Sequence, residues 1–160
     1  MSSYELALEL HSIVRLALTL ASLLLLVLGL QGWSGNRDWG AGSKMLLLFT
    51  MILADVQLLI GLGLYFAWSP TAAAARADYG AAMKDPTARF WAVEHGAAML
   101  LAIVCVHLGK LFVKRADGND GSQHRQITLW FAVVVALLLW MSPWPFSSVV
   151  RPFLRLGGAP

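Results

Sequence analysis

Four long apolar segments dominate this sequence and limit what it can fold into. They cover about residues 4–30, 45–68, 88–113 and 124–142. A helix needs on the order of 20 apolar residues to cross the hydrocarbon core of a bilayer, because each residue adds about 1.5 Å. Within hydrocarbon the backbone amides have no water to bond to, so segments of this kind cross as helices. We therefore predict an all-α integral membrane protein, an up-down four-helix bundle.

The composition agrees with a membrane protein and argues against a nucleic-acid partner. Of the 160 residues, 58% are hydrophobic and 13% are charged, which is about half the charged share of a soluble domain. The formal charge of +3 comes from basic residues beside the apolar segments, and they form no run with interleaved aromatics. Lysines and arginines at such places set topology and meet lipid headgroups. We predict membrane lipid as a partner and no nucleic acid.

The ends of the chain differ in character. Residues 1–143 hold all four apolar segments and are predicted to form the bundle. The first segment carries Glu5 and Glu9 where a signal peptide would be basic, so we expect it to be retained as the first span. Residues 144–160 combine prolines, aromatic residues and arginines. That pattern is typical of a tail that lies along the membrane interface.

Two of the chain's histidines fall at matching depths in different segments. His11 lies about seven residues into the first segment, roughly 10 Å deep at 1.5 Å per residue. His95 lies similarly deep in the third segment if that helix begins near Pro86. In an up-down bundle the first and third helices enter from the same face. An ionisable group in hydrocarbon costs several kcal/mol by order of magnitude, so it is usually functional or paired.

Two imidazoles at one depth on separate helices are what a haem b with two axial histidines requires. We therefore predict that His11 and His95 are the axial ligands of a haem b. Their small neighbours Ser12, Gly96 and Ala97 leave room for a flat macrocycle.

Charged residues near this pair are candidates for contacts with the polar edge of the haem. Its propionates need cations, which Arg15, one helical turn after His11, and Arg89, at the interface, can provide. Glu94 has two interpretations: an ion pair with Arg15 or Arg89, or a proton carrier for a quinone.

The remaining polar residues of the spans lie deeper. His107 follows His95 by 12 residues, about 18 Å along the helix and about 120° around it, so it cannot share the ring of His95. A second haem through His107 and His124 is one interpretation. The others are a helix-packing role for His107 and a solvated loop position for His124. Asp55 and Gln57, near the middle of the second segment, are predicted to serve a proton or quinone site, with His107 as a possible partner of Asp55.

Three stretches of the sequence resemble a known family. They are HSIVR from His11 to Arg15, DVQLLIGLGLYF from Asp55 to Phe66, and RFWAVEH from Arg89 to His95. They are similar to small four-helix bacterial membrane proteins labelled cytochrome b, which are related to cytochrome b561-type carriers. The resemblance covers the first three helices. It implies a bacterial inner membrane, a four-helix bundle, and His11 and His95 as haem ligands; members of the family often have histidine at the position of Asp55.

Two function classes follow from these residues. The first is a b-type cytochrome that transfers electrons between the quinol pool and a partner. The alternative is a non-redox accessory or assembly subunit of a larger membrane complex, in which the polar side chains form an internal network. A transporter would call for discontinuous helices or internal repeats, and the sequence has neither.

Overall fold

The structure, a computed structural model, describes residues 2–35, 37–145 and 149. Within these residues the chain is helical and contains no strand. Four helical runs are long and apolar enough to cross a membrane: Ser3–Gly35, Ala41–Trp68, Pro86–Arg115 and Asp120–Met141. The prediction of an all-α, multi-pass, four-helix membrane protein is confirmed.

Some of these runs contain more than one element. The α-helices are α1 (Ser3–Gly35), α2 (Ala41–Gly63), α3 (Pro70–Ala77), α4 (Tyr79–Ala82), α5 (Pro86–Arg89), α6 (His95–Arg115) and α7 (Asp120–Met141). A first π turn, Leu64–Trp68, continues α2, and a second π turn, Phe90–Glu94, joins α5 to α6. The short helices α3 to α5 thus connect the second span to the third.

Polar side chains cap the N-terminal ends of several helices, which therefore begin before the apolar segments from which they were predicted. The side chain of Asn119 accepts a hydrogen bond from the backbone amide of Ser122 at 2.8 Å, so α7 begins at Asp120. The carboxylate of Asp85 does the same for Ala88, with Pro86 as the first helical residue. Such caps satisfy amides that have no partner within the helix. These caps lengthen the third and fourth runs at their N-terminal ends, and the first two runs are also longer than their predicted spans.

The four spans form a bundle in which each packs against two neighbours. α1 contacts α2 and α7, and α6 also contacts α2 and α7. α1 and α6 therefore stand diagonally across the bundle. Because consecutive spans are antiparallel, these two helices run in the same direction, and their first halves lie near the face that holds the N-terminus.

The contact between α1 and α7 depends on two glycines. A Cβ atom at Gly32 would overlap the ring of His124, and one at Gly29 would lie 2.8 Å from Oγ1 of Thr128. Small residues let membrane helices approach closely, because packing rather than water exclusion holds such helices together. Next to this contact the core is closed by Leu25, Ile127 and Phe131, all fully buried.

The described residues include only the beginning of the predicted tail. Trp144 is buried, and its indole nitrogen donates a hydrogen bond to the carbonyl of Leu139 at 2.9 Å. The chain after α7 therefore folds back against the end of the bundle. Except for Trp144, Pro145 and Val149, the predicted interfacial segment 144–160 lies outside the described residues.

We expect Gly32→Ala to lower the free energy of unfolding by about 1–3 kcal/mol, because the added methyl group must displace His124. Gly35→Ala is the matched control, since nothing lies within 4 Å of its Cβ position. Replacing glycine by alanine in a helix otherwise stabilises by up to about 1 kcal/mol, so the control should be neutral or more stable. Thermal unfolding in detergent checks both variants, and equal melting temperatures would contradict this packing.

Candidate functional site

Two π turns frame one end of the bundle. The first, Leu64–Trp68, and the second, Phe90–Glu94, lie where the second and third spans meet the face of the N-terminus. The hydroxyl of Tyr65 donates a hydrogen bond to the carbonyl of Ala92 at 2.9 Å, which ties the two turns together. π turns add a residue to a helical turn and occur frequently at functional sites. The second one ends directly before His95 and therefore sets the direction in which that side chain points.

His11 of α1 and His95 of α6 meet across the bundle at this end. Their ring centroids are 6.4 Å apart and their planes are inclined by 70°. His11 follows the first residue of its helical run by eight positions and His95 by nine, counted from Ser3 and Pro86. The depth match expected from the sequence is present.

The ring of His95 is held in one orientation. Its Nδ1 lies 2.8 Å from the backbone carbonyl of Met141, the last residue of α7. A carbonyl only accepts, so Nδ1 carries the hydrogen and donates it, which leaves Nε2 as the nitrogen that can bind a ligand. Phe90 and Trp91 pack beside the ring, with centroids 5.5 and 5.7 Å away.

His11 lies against α2. A Cβ atom at Gly61 would be 3.3 Å from Cε1 of His11, so the glycine makes space for the ring. The amide of Gln57 donates a hydrogen bond to the backbone carbonyl of His11 at 3.1 Å. Nδ1 of His11 is buried and has no hydrogen-bond partner among the described residues. Buried polar atoms are nearly always satisfied, so this nitrogen is open to a partner from outside the described residues.

Both rings line a single cavity of about 410 Å³. Its wall is formed by α1, α2, both π turns, α3, α6 and Pro143, and it is mostly apolar. Small-molecule sites commonly have volumes of about 300–1,000 Å³. Ser12, Gly96 and Ala97, which the sequence suggested as space for a macrocycle, are among the lining residues.

The separation of the rings fits a metal ion bound between them. A metal–imidazole bond is about 2 Å long and its nitrogen lies about 1 Å from the ring centre, so two imidazoles on opposite sides of one ion have centroids about 6 Å apart. The observed separation is 6.4 Å. The described residues contain no group of three or more His, Cys, Asp or Glu suited to hold a bare ion. Two imidazoles fill two coordination positions of such an ion, so the remaining positions would go to a ligand with its own donors, as a porphyrin has.

The predicted propionate ligands separate into two groups. Arg15 is buried and lines the cavity; it donates to the carbonyl of Pro143 at 3.3 Å, and its guanidinium lies 4.9 Å from the ring centroid of Trp144. Arg89 forms an ion pair with Glu94 at 2.6 Å, partly exposed, and neither residue lines the cavity. Of the two interpretations of Glu94, the ion pair with Arg89 is the one the structure contains.

Asp55 and Gln57 lie on opposite sides of α2. Two residues correspond to about 200° around a helix, so their side chains cannot share a site. Gln57 is buried and lines the cavity. Asp55 instead contacts His107, with 2.8 Å between Oδ1 and Nε2, on the outer surface of α2 and α6. The expected contact between Asp55 and His107 is present, whereas the grouping of Asp55 with Gln57 is not.

His124 is a buried residue of the α1–α7 contact. It packs on Gly32, and its ring centroid is 5.1 Å from that of Trp39. The expectation of a solvated loop position is wrong, because the Asn119 cap starts α7 early enough to carry His124 into the bundle. His107 and His124 therefore have different neighbours, and neither of them lines the cavity that His11 and His95 share.

Met141 is a part of this site that was not predicted from the sequence. Its side chain has no relevant chemistry, and it contributes only its backbone carbonyl. A signal was nevertheless present, because Pro143 marks the end of α7 and the last carbonyls of a helix lack partners within it. Gln57 lines the cavity because α2 is rotated so that this side chain faces inward. The sequence carried no comparable signal for that rotation.

No protein-family model, curated protein or solved structure matches this chain.

We expect Tyr65→Phe to loosen the link between the two π turns, because it removes the hydrogen bond to Ala92. The loss should be about 0.5–1.5 kcal/mol in the free energy of unfolding, with faster amide hydrogen exchange over Phe90–Glu94. Tyr79→Phe is the control, because that side chain is exposed. The same loss in both variants would show that the link does not stabilise this end of the bundle.

Proposed function

We propose that this protein is a b-type cytochrome of a bacterial inner membrane that transfers single electrons between the quinol pool and a partner protein. One haem, with His11 and His95 as axial ligands, would carry the electron. The observation that supports this most strongly is the pair of imidazoles whose centroids are 6.4 Å apart at one apolar cavity.

Each residue of the site has a distinct role in this proposal. His95 presents Nε2, because Met141 holds Nδ1. His11 completes the pair from the diagonal helix. Arg15 places a positive charge on the cavity wall, where a propionate would otherwise be buried without a cation. A haem held by His11 and His95 would supply one-electron redox chemistry, and the mostly apolar lining would limit the access of water to it.

The proposed orientation follows from the basic residues of the loops. Counted along the sequence, the up-down topology would put six lysines and arginines on the face opposite the termini and five on the face of the termini, with Arg15 inside the first span. The six are close to helix ends in short loops, where basic residues mark the cytoplasmic side. The termini and the histidine pair would then lie towards the periplasm.

An accessory or assembly subunit of a larger complex remains a second candidate. One observation favours it: His95 and Arg15 both bind backbone carbonyls at the end of α7, those of Met141 and Pro143. Their polar atoms thus help to close the bundle as well as line the cavity. In that case the pair would stabilise the fold without binding haem.

The visible spectrum of protein produced with added haem precursor separates the two candidates. We expect one haem per chain, with a Soret band and, after dithionite reduction, the sharp α band of a low-spin haem with two nitrogen ligands. His11→Gly and His95→Gly should each lose this spectrum and regain it with added imidazole, which replaces the missing ring. His107→Gln is the control and should keep the spectrum, because His107 lies outside the cavity.

The outcomes that contradict the proposal are also spectral. A folded wild-type protein without a Soret band would leave the accessory role. A six-coordinate spectrum that survives in both glycine variants without imidazole would place the ligands elsewhere.

We expect Arg15→Gln to weaken haem binding at least about tenfold, since a hydrogen bond to a charged group contributes about 1.5–3 kcal/mol. Transfer of haem from the protein to an excess of apomyoglobin measures this loss. Arg89→Gln should change the transfer rate little, because the Arg89–Glu94 ion pair does not line the cavity. If the two variants lose haem equally fast, Arg15 has no special role at the cavity.

A further inference from the structure

A hydrogen-bonded acid–base pair lies on the lipid-facing surface, away from the histidine cavity. Nε2 of His107 and Oδ1 of Asp55 are 2.8 Å apart, and the two side chains are 46% and 47% exposed. Asp55 is near the middle of the run Ala41–Trp68, and His107 lies eight residues before Arg115, the last residue of α6. Both therefore lie at the depth of the hydrocarbon, where exposed ionisable groups are rare and usually functional.

The pair keeps unused capacity for hydrogen bonds. Its one contact uses Oδ1 of Asp55 and Nε2 of His107. Oδ2 of Asp55 and Nδ1 of His107 make no hydrogen bond within the described part of the chain. One is an acceptor, and the other is a donor or an acceptor according to its tautomer. A ligand that reaches them must come from the lipid phase and carry hydrogen-bonding groups of its own.

The surroundings indicate what kind of ligand fits. One helical turn to either side, Ile52 and Leu59 on α2 and Val104 and Leu111 on α6 are exposed. These are bulky side chains, whereas the faces by which membrane helices dock onto each other are enriched in small residues. The surface thus suits a long apolar chain better than a second copy of the protein.

The second span leaves this surface open. Only 22% of its most apolar window is buried in the bundle, compared with 39% in each of the other three spans. Phospholipid headgroups stay at the interface and do not reach this depth. A membrane quinone does reach it, because its polar ring is attached to an isoprenoid tail.

We infer that Asp55 and His107 bind the ring of a membrane quinone or quinol from the lipid side. A quinone carbonyl accepts a hydrogen bond from the imidazole, and a quinol hydroxyl donates one to the carboxylate or to the ring nitrogen. The choice of quinone as ligand rests on the proposed electron-transfer function, in which the quinol pool is a partner. Gln57 has no part in this site, because it points into the cavity on the other side of α2.

The test uses protein that cannot bind haem through the proposed pair, so that the two proposals are judged separately. The His11→Gly, His95→Gly double variant in lipid nanodiscs is illuminated with a photoreactive azido-ubiquinone, and the labelled peptides are mapped. We expect label within one helical turn of Asp55 and His107, which an excess of decylubiquinone displaces.

Leucine variants then test the two side chains directly. Asp55→Leu and His107→Leu should each reduce the label at least tenfold. Val133→Leu is the control: Val133 is 45% exposed, similar to the pair, but lies on α7. It should leave the label unchanged. Circular dichroism verifies that each variant is helical.

Three results would overturn the inference. One is label scattered over all four spans of the His11→Gly, His95→Gly protein, which is observed before either leucine substitution is made. Another is label that the leucine variants do not reduce. The third is a dimer that forms without quinone label and dissociates in both leucine variants, because Asp55 and His107 would then bind a second copy of the protein. If the label at Asp55 and His107 is specific but the wild-type protein never shows a Soret band, the quinone site stands and only the cytochrome proposal fails.

Discussion

The diagonal separation of α1 and α6 is the constraint on which the site depends. α7 packs against both helices, and its last carbonyl, that of Met141, holds the ring of His95. α7 therefore fixes the orientation of the His95 ring next to His11. The two ring centroids lie 6.4 Å apart at one cavity, a separation that one metal ion could bridge.

The bundle accommodates ionisable groups within the bilayer in two ways. At the end near the N-terminus, Arg15 and His95 are turned inward, where backbone carbonyls and aromatic rings surround them. On the outer surface, Asp55 and His107 bind each other and remain half exposed. The first arrangement suits a permanently bound cofactor. The second suits a ligand that exchanges with the lipid phase.

Depth could be predicted from the sequence, whereas rotation about the helix axis could not. The apolar segments indicated the four spans, and counting at 1.5 Å per residue brought His11 and His95 to one level. The side to which each residue points depends on the π turns, because one added residue rotates the rest of the helix by about 100°. The spacing of Asp55 and Gln57 places them about 200° apart around a helix, but the sequence carried no signal for which of the two faces the cavity. The burial of His124 depended on a contact with Gly32, distant in sequence.

The position of the iron tests the central claim most directly. Crystals of the haem-loaded protein, measured at the iron absorption edge, give an anomalous difference map that locates the metal without reference to the fold. We predict a single peak between the rings of His11 and His95, about 2 Å from one nitrogen of each. A peak at any other place, or rings that both turn away from the metal, would contradict this account.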